Sequence, residues 1–464
     1  MSSIRPVSHT LLAGLILSSF SLPLAASEPD ARILKRLEQM EQRLQVLETE
    51  NAQLKKALNE PYISDSEPEV SARLKAVESQ SNSYKKVAKI VQSLEGIEVA
   101  GGLTMAAQKL SGKPDNYNKD SEINYRGDVT VSLPAGNIGA SEGLLFAHFR
   151  VGQGLGLENP GSAFSSLNST SFQRPGTTTS DSTVLLAQAW YQLNIPLPLG
   201  GNPDLSRQHI EMNIGKMDPF MFFDQNSIAD DETRGFMNQS FVHNPLLDTG
   251  GDIGVDDFGF TPGFRMAWVN DFYKPVKYGI SFGAFGAGDG ASFEDTLSDP
   301  FYIVQAETQQ RLFSGLNGNY RLYYWKNYAR TDLNNNKETH AGFGFSVDQQ
   351  VHDYMTLFAR YGYQSQGDVE FDRALTFGAE FGGSYWSRGG DAIGAALGFL
   401  SLSNEYKNTN PDLDGEEQIA ELYYRYRINN QIHISPNLQY IRQPGGDNTA
   451  SSLTAYGLRA QLDF

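Results

Sequence analysis

The sequence predicts an all-β fold, a transmembrane antiparallel β-barrel of about 16 strands, preceded by a helical coiled coil. Three observations carry this prediction. From Gly96 to the C-terminus the apolar residues recur with period two. Turn residues divide that stretch into segments of about the 9 to 11 residues that a tilted strand needs to cross a bilayer. Before Gly96 the apolar period is helical. Composition agrees: of 464 residues, 40% are hydrophobic, 20% charged and 45 are glycine. That is too polar for a bundle of membrane helices, yet ordinary for a wall that is apolar on one face only. The absence of cysteine excludes a disulfide-stapled module, a thiolate zinc site and a cysteine nucleophile. A net charge of -17 would repel the phosphates of nucleic acid.

Residues 1–26 read as a secretory signal peptide, with Arg5 as the positive region, an apolar stretch from Leu11 to Leu17 and small residues through Pro23, Ala25 and Ala26. The apolar run is too short for a membrane anchor. Residues 27–60 carry a heptad seam: Ile33, Leu37, Met40, Leu44, Leu47, Asn51, Leu54 and Leu58 follow in steps of four and three. Such a seam spans about 39 Å at 1.5 Å per residue, and a single buried Asn51 would set register and oligomer state. Self-association, as a homotrimer, is the expectation. Residues 61–95 form a linker, broken by Pro61 and Pro68, and a second, weaker helical stretch from Val70 to Leu94.

Residues 96–464 form the barrel. The last segment shows the pattern: Tyr456, Leu458, Ala460, Leu462 and Phe464 fall on one face, Gly457, Arg459, Gln461 and Asp463 on the other. Leu375, Phe377, Ala379 and Phe381 oppose Thr376, Gly378, Glu380 and Gly382 in the same way. In another segment Leu185, Ala187, Ala189, Tyr191 and Leu193 oppose Gln188, Trp190, Gln192 and Asn194. Strands are expected to begin near Ile97, Ile123, Leu144, Val184, His209, Phe260, Val276, Phe301, Asn319, Glu338, Tyr354, Phe371, Asp391, Glu417, Gln431 and Ser451. Alternate connections are short, at Asp271 to Pro275, Ser314 to Leu316, Gln350 to Asp353, Ser387 to Gly389 and Asn429 to Asn430. The long ones, Gly152 to Ser182 and Met217 to Gly259, fall at the opposite end, as periplasmic turns and extracellular loops would. A barrel of this strand number leaves a water-filled channel.

Three stretches resemble the carbohydrate-selective porins of the OprB type. They are Gly215 to Asn226 (GKMDPFMFFDQN), continuing through Ala229 to Arg234 (ADDETR), Phe236, Asn244 and Pro245; Glu421 to Arg427 (ELYYRYR); and Ser435 to Ile441 with Pro444 to Gly446. The resemblance implies a 16-stranded barrel in the outer membrane of a Gram-negative bacterium, inward-folded long loops and passive uptake of sugars. The coiled coil departs from the simplest members of that family and is similar to the stalks of some trimeric porins for dicarboxylic acids. It would stand in the periplasm, with a possible partner there.

Facing parity places Arg150, Arg265, Arg321, Arg360, Arg425, Arg427 and Arg459 in the lumen, with Glu211, Glu307, Glu380 and Glu421. The loop from Met217 to Gly259 is the constriction candidate, because its phenylalanines would be poorly placed in open solvent. Asp224, Asn226, Asp230, Asp231, Glu232 and Arg234 in that loop would present carboxylate, amide and guanidinium groups to a sugar's hydroxyls, with Trp190 as an aromatic platform. Tyr323 and Trp325 share the lumenal parity, and the parity fits these two and Trp190 equally to an aromatic path along the lumen or to the inner edge of the interfacial aromatic girdle. Two other readings compete: an anion or dicarboxylate pore using the arginines as a ladder, and a structural tether acting through the stalk. No metal and no cofactor is expected. The calcium-like spacing from Asn410 to Gly415 lies between strands rather than helices, the glycines from Gly283 to Gly290 lack a phosphate-loop lysine, and no nucleophile, base and orienter group together, so the chain is not read as an enzyme.

Overall fold

The computed structural model describes Thr49 and residues 97–464, except 115–116, 118–119, 158–159, 173–180, 202–205, 257, 288–296 and 314. The expected signal peptide, coiled coil, linker and second helix lie outside the described residues, Thr49 excepted. The chain divides into two units, Met1–Pro68 and Glu69–Phe464. The second contains the barrel.

Sixteen strands form that barrel: β1 (Glu98–Ser111), β2 (Ser121–Ile138), β3 (Ser141–Gln153), β4 (Thr183–Leu197), β5 (Gln208–Met217), β6 (Thr261–Asn270), β7 (Lys277–Phe285) and β8 (Phe301–Leu312), then β9 (Leu316–Thr331), β10 (Lys337–His352), β11 (Met355–Gln366), β12 (Phe371–Gly382), β13 (Ala392–Leu402), β14 (Glu416–Arg427), β15 (Ile432–Arg442) and β16 (Leu453–Asp463). Each pairs with its neighbours in sequence, and β1 pairs antiparallel with β16 to close the sheet. Closure removes every unpaired edge, which a sheet in hydrocarbon cannot tolerate. All sixteen expected starts lie within three residues of the observed ones. At the short-turn end, β10 runs through His352 and leaves only Asp353 and Tyr354 before β11, while the turn expected at Ser387 to Gly389 widens to include a one-turn helix, Gly383–Trp386.

The wall alternates as its sequence implies. Along β9, Arg321, Tyr323, Trp325 and Asn327 are buried inside while Leu322 and Tyr324 are exposed outside. On β16 Ala455 and Arg459 face in, and Tyr456, Leu458 and Leu462 face out. Strand β4 corrects its expected facing. His148 pairs with Gln188 but Phe149 pairs with Leu186, so Ala187 is an extra residue, a β-bulge. The bulge inverts the parity before it: Val184 and Leu186 point outward and Ala187 is fully buried. A lone bulge leaves no trace in an alternation count, because small Ala187 suits either face.

Within the barrel lie much of the connection between β5 and β6, residues 218–260, and part of that between β3 and β4, both bonded to its inner wall. The β5 end is set by Gly215, whose φ of +143° an L side chain rarely adopts, and whose Cβ would meet the Ala189 carbonyl at 2.2 Å. Asp218 then caps the short helix Pro219–Met221 by accepting from the Phe220 N–H. Further along, Asn238 caps α1 (Gln239–Val242) through the Ser240 N–H. The loop's aromatic side chains reach the wall: Phe222 is edge-on to Trp190 at 5.7 Å, Phe223 to Phe285 at 6.1 Å and Phe236 to Tyr423 at 5.0 Å. They bury large apolar surfaces at about 25 cal/mol per Å², so the loop is held within the barrel rather than displayed in solvent.

Candidate functional site

The inward loop touches opposite walls. Its first half docks on β8 to β11: the Asp224 N–H donates to Gln305 at 2.9 Å, and the Ser227 N–H donates to Asp348 at 3.2 Å. Its middle docks on β14 to β16 and β2. There the N–H groups of Met237 and Asn238 donate to the two oxygens of Glu421 at 2.7 and 2.9 Å, and the Asn238 amide donates to Gln439 at 3.1 Å. Arg234 pairs with Asp463 and Glu232 with Arg126 at 2.5 Å. Its last part returns to β9 and β10, where Asp252 accepts from Trp325 at 2.8 Å and pairs with His340 at 2.6 Å. A segment bonded to β2, β9 and β15 must cross the lumen and divide it.

These contacts sort the residues picked from sequence. Asp224 and Arg360 form an ion pair at 3.1 Å with both side chains fully buried. Asp224 also accepts from the Tyr323 hydroxyl at 2.7 Å and the Asn244 N–H at 2.6 Å, and Arg360 donates to the carbonyls of Phe241 and Asp224. The pair clamps both ends of the loop's first half to the wall. Asn226 is likewise buried, accepting from the Ile228 and Ala229 N–H groups and donating to the Val347 carbonyl at 3.2 Å. Trp190 is buried and stacked on Phe146 at 4.7 Å, so one face is already covered. Asp231 accepts from the N–H and hydroxyl of Thr233, closing a local turn. Arg427 sits at the short-turn rim, donating to Asn429 and Asn430. It lies away from the loop.

The remaining charges lie on the inner side of the wall, and all but Arg459 meet an opposite charge. Arg150 donates to Asp128 at 2.7 Å, as does His148 through its Nε2 contact at 2.7 Å, and Arg126 meets the other Asp128 oxygen at 2.9 Å. Arg265 pairs with Glu211 at 2.9 Å, Arg321 with Asp348 at 3.3 Å and Arg425 with Glu380 at 3.3 Å. Arg459, lacking such a carboxylate contact, donates to the Glu232 carbonyl at 2.6 Å. Aromatic faces accompany the cations: Arg150 lies 5.1 Å from the Phe260 ring centroid, Lys216 5.7 Å from the same ring and Arg265 4.8 Å from Phe222. Arg126, Asp128, His148, Lys216 and Phe260 were not among the residues singled out above. The alternation of Asn124, Arg126 and Asp128 along β2 was the available signal.

Asp230 lies near His243, 3.8 Å from its Nε2, while His243 Nδ1 contacts Asp248 at 2.9 Å and the ring stacks on Phe220 at 3.8 Å. Burial pulls the His243 imidazolium down, but the Asp248 hydrogen bond and the charges of Asp248, Asp230 and Asp218 outweigh it and raise its pKa. A raised folded-state pKa means this stabilisation is complete below about pH 6.5 and is lost as pH rises through the raised value. His243→Gln is therefore expected to lower the melting temperature most below pH 6.5, by the worth of a charged hydrogen bond, about 1.5–3 kcal/mol, with the gap closing in alkali. Melting curves at both ends of that range check it; a gap independent of pH would refute it.

Comparison with known proteins follows this geometry. A carbohydrate-selective porin family, OprB, matches residues 150–464. Porin B of Pseudomonas aeruginosa is 25% identical over 189 residues, covering 32% of this chain and 42% of that one. An uncharacterised protein of Aquifex aeolicus is 23% identical over 227 residues, covering 49% of this chain and 58% of its own length. The matches thus span about half the length of these relatives. A high-pH structure of Pseudomonas putida OprB shares the fold, with a TM-score of 0.63 and 19% identity over 81% of this chain and 96% of that one. The chain, by its matched stretch and its closed 16-strand barrel, belongs to the OprB family of carbohydrate-selective porins.

Proposed function

We propose that the protein is a passive outer-membrane channel of a Gram-negative bacterium, through which small hydrophilic solutes, chiefly sugars, diffuse down their gradients. The observation that carries this reading is the pairing of charge along the lumen. Arg126 and Arg150 share Asp128, and Arg265, Arg321 and Arg425 each meet a carboxylate. A pore for anions would leave such cations unmatched; compensated pairs with amides and aromatic faces beside them suit an uncharged, polyhydroxylated solute. The solute exchanges water for these groups as it passes the inward loop, and no energy input or catalytic group is required. Glu232, Arg234, Arg150, Arg265, Arg321 and Arg425 are the proposed lining, while Asp224, Asn226, Arg360 and Trp190 hold it in place.

A homotrimer with the heptad seam of residues 27–60 as a periplasmic stalk completes the proposal. The anion pore and the structural tether remain the competing readings. Liposomes containing the protein should swell faster in isotonic sugar than empty ones, with rates falling as the sugar grows. Swelling no faster than in empty liposomes would overturn the channel. A strong anion preference in reversal potentials would favour the anion reading instead.

A further inference from the structure

Lys326 stands on the outer wall. It alternates with Arg321, Tyr323, Trp325 and Asn327, all buried inside, and follows exposed Leu322 and Tyr324 on the outward face of β9. Its Nζ lies 4.7 Å from the Tyr328 ring centroid. On β8 its register partner is Tyr302, which is edge-on to Tyr328 at 6.2 Å and stacked on Phe282 at 5.9 Å. Tyr302 is the second residue of β8 and Tyr328 is near the end of β9, so the cluster sits at the long-loop end of the barrel.

Among the described residues no carboxylate lies within 4 Å of Lys326 Nζ, and neither the Tyr302 nor the Tyr328 hydroxyl has a hydrogen-bond partner. Asp299, three residues before Tyr302, is engaged by Lys337 at 2.6 Å. A lysine on a lipid-facing wall is tolerated only near the interface, where its ammonium reaches the headgroups. Tyrosines concentrate at that same level, with the ring in the acyl region and the hydroxyl in the polar layer. Among the described residues the ammonium thus meets no carboxylate and the two phenols no partner, so the patch presents donors to whatever headgroup lies beside it.

We propose that Tyr302, Lys326 and Tyr328 form a binding site for the phosphate of an anionic membrane lipid in the leaflet at the long-loop end. The proposal rests on the membrane reading above. The ammonium supplies the charge attraction, the phenols donate hydrogen bonds, and Phe282 and Tyr324 lie against the acyl chains.

The test uses the full-length protein purified in detergent, incubated with phosphatidic acid or with diacylglycerol of the same chains, and read by native mass spectrometry. Wild type should retain phosphatidic acid, Lys326→Gln at least fivefold less, and Lys326→Arg nearly as much as wild type, with diacylglycerol retained equally by all three. Equal retention of phosphatidic acid by wild type and Lys326→Gln would overturn the site. So would its displacement by an equal concentration of inorganic phosphate, which would make the ligand a free anion, or a shift of Lys326→Gln alone to a smaller oligomer, which would make the occupant a second copy of the chain. Sugar-driven swelling of Lys326→Gln liposomes should match wild type, because Lys326 lies outside the lumen. Loss of swelling in both, with the retention ratio intact, would sink the channel and leave the lipid site standing.

Discussion

Arg360→Met is expected to loosen the inward loop and raise single-channel conductance, with noisier open-channel current. The guanidinium is fully buried against Asp224 and also donates to the carbonyls of Phe241 and Asp224 itself. Removing it leaves the Asp224 carboxylate inside with only the Tyr323 hydroxyl, the Asn244 N–H and no counter-charge. Breaking a buried pair in this way costs about 3–5 kcal/mol, whereas removing both charges costs far less. The double variant Asp224→Asn with Arg360→Met should therefore recover part of the stability lost by the single one. Thermal unfolding and planar-bilayer recordings together decide the matter. Unchanged conductance and unfolding in Arg360→Met would show that the loop is held elsewhere, and the Glu421 contacts to Met237 and Asn238 would then carry it.

The second large effect concerns selectivity. Asp128→Asn combined with Glu232→Gln strips the acids from Arg126 and Arg150, whose contacts to them run from 2.5 to 2.9 Å. An uncompensated unit charge acts on an ion 4 Å away with about 1 kcal/mol even in bulk water. Since about 1.4 kcal/mol is tenfold, the chloride-to-potassium permeability ratio should rise about fivefold or more. Reversal potentials in a potassium chloride gradient measure it directly, and sugar swelling should change far less. Selectivity that does not move would place this cluster off the permeation route.

How legible these groups were in sequence differs from one to the next. Period two marks every strand, and on β16 and on β9 from Arg321 to Asn327 it assigns each residue to its face, because a side chain in a closed barrel has only two places to point; past Asn327 the β9 register shifts and Arg330 reaches the buried Asp252. On β4 the same count fails at Ala187, where one inserted residue inverts the facing. The inward fold of the 218–260 loop was legible from Phe220, Phe222, Phe223 and Phe236, whose apolar area has nowhere else to go. Which of its polar residues are sealed against the wall was not. Asp224 and Glu232 are eight positions apart in one acidic, aromatic segment, yet the first is sealed against Arg360 and the second borders the Arg126 cluster.

Thus length, the change of period at Gly96, the strand count and the alternation of long and short connections were determined by sequence alone, because each depends on chain geometry over a few residues. Only the tertiary structure decided which charges pair with the inward loop and which pair with one another along the wall. Asp224 meets Arg360 136 positions away, Met237 meets Glu421 184 away and Arg234 meets Asp463 229 away. Burial and counter-charge come from those distant partners, and they match most of the inward-facing arginines to a carboxylate in place.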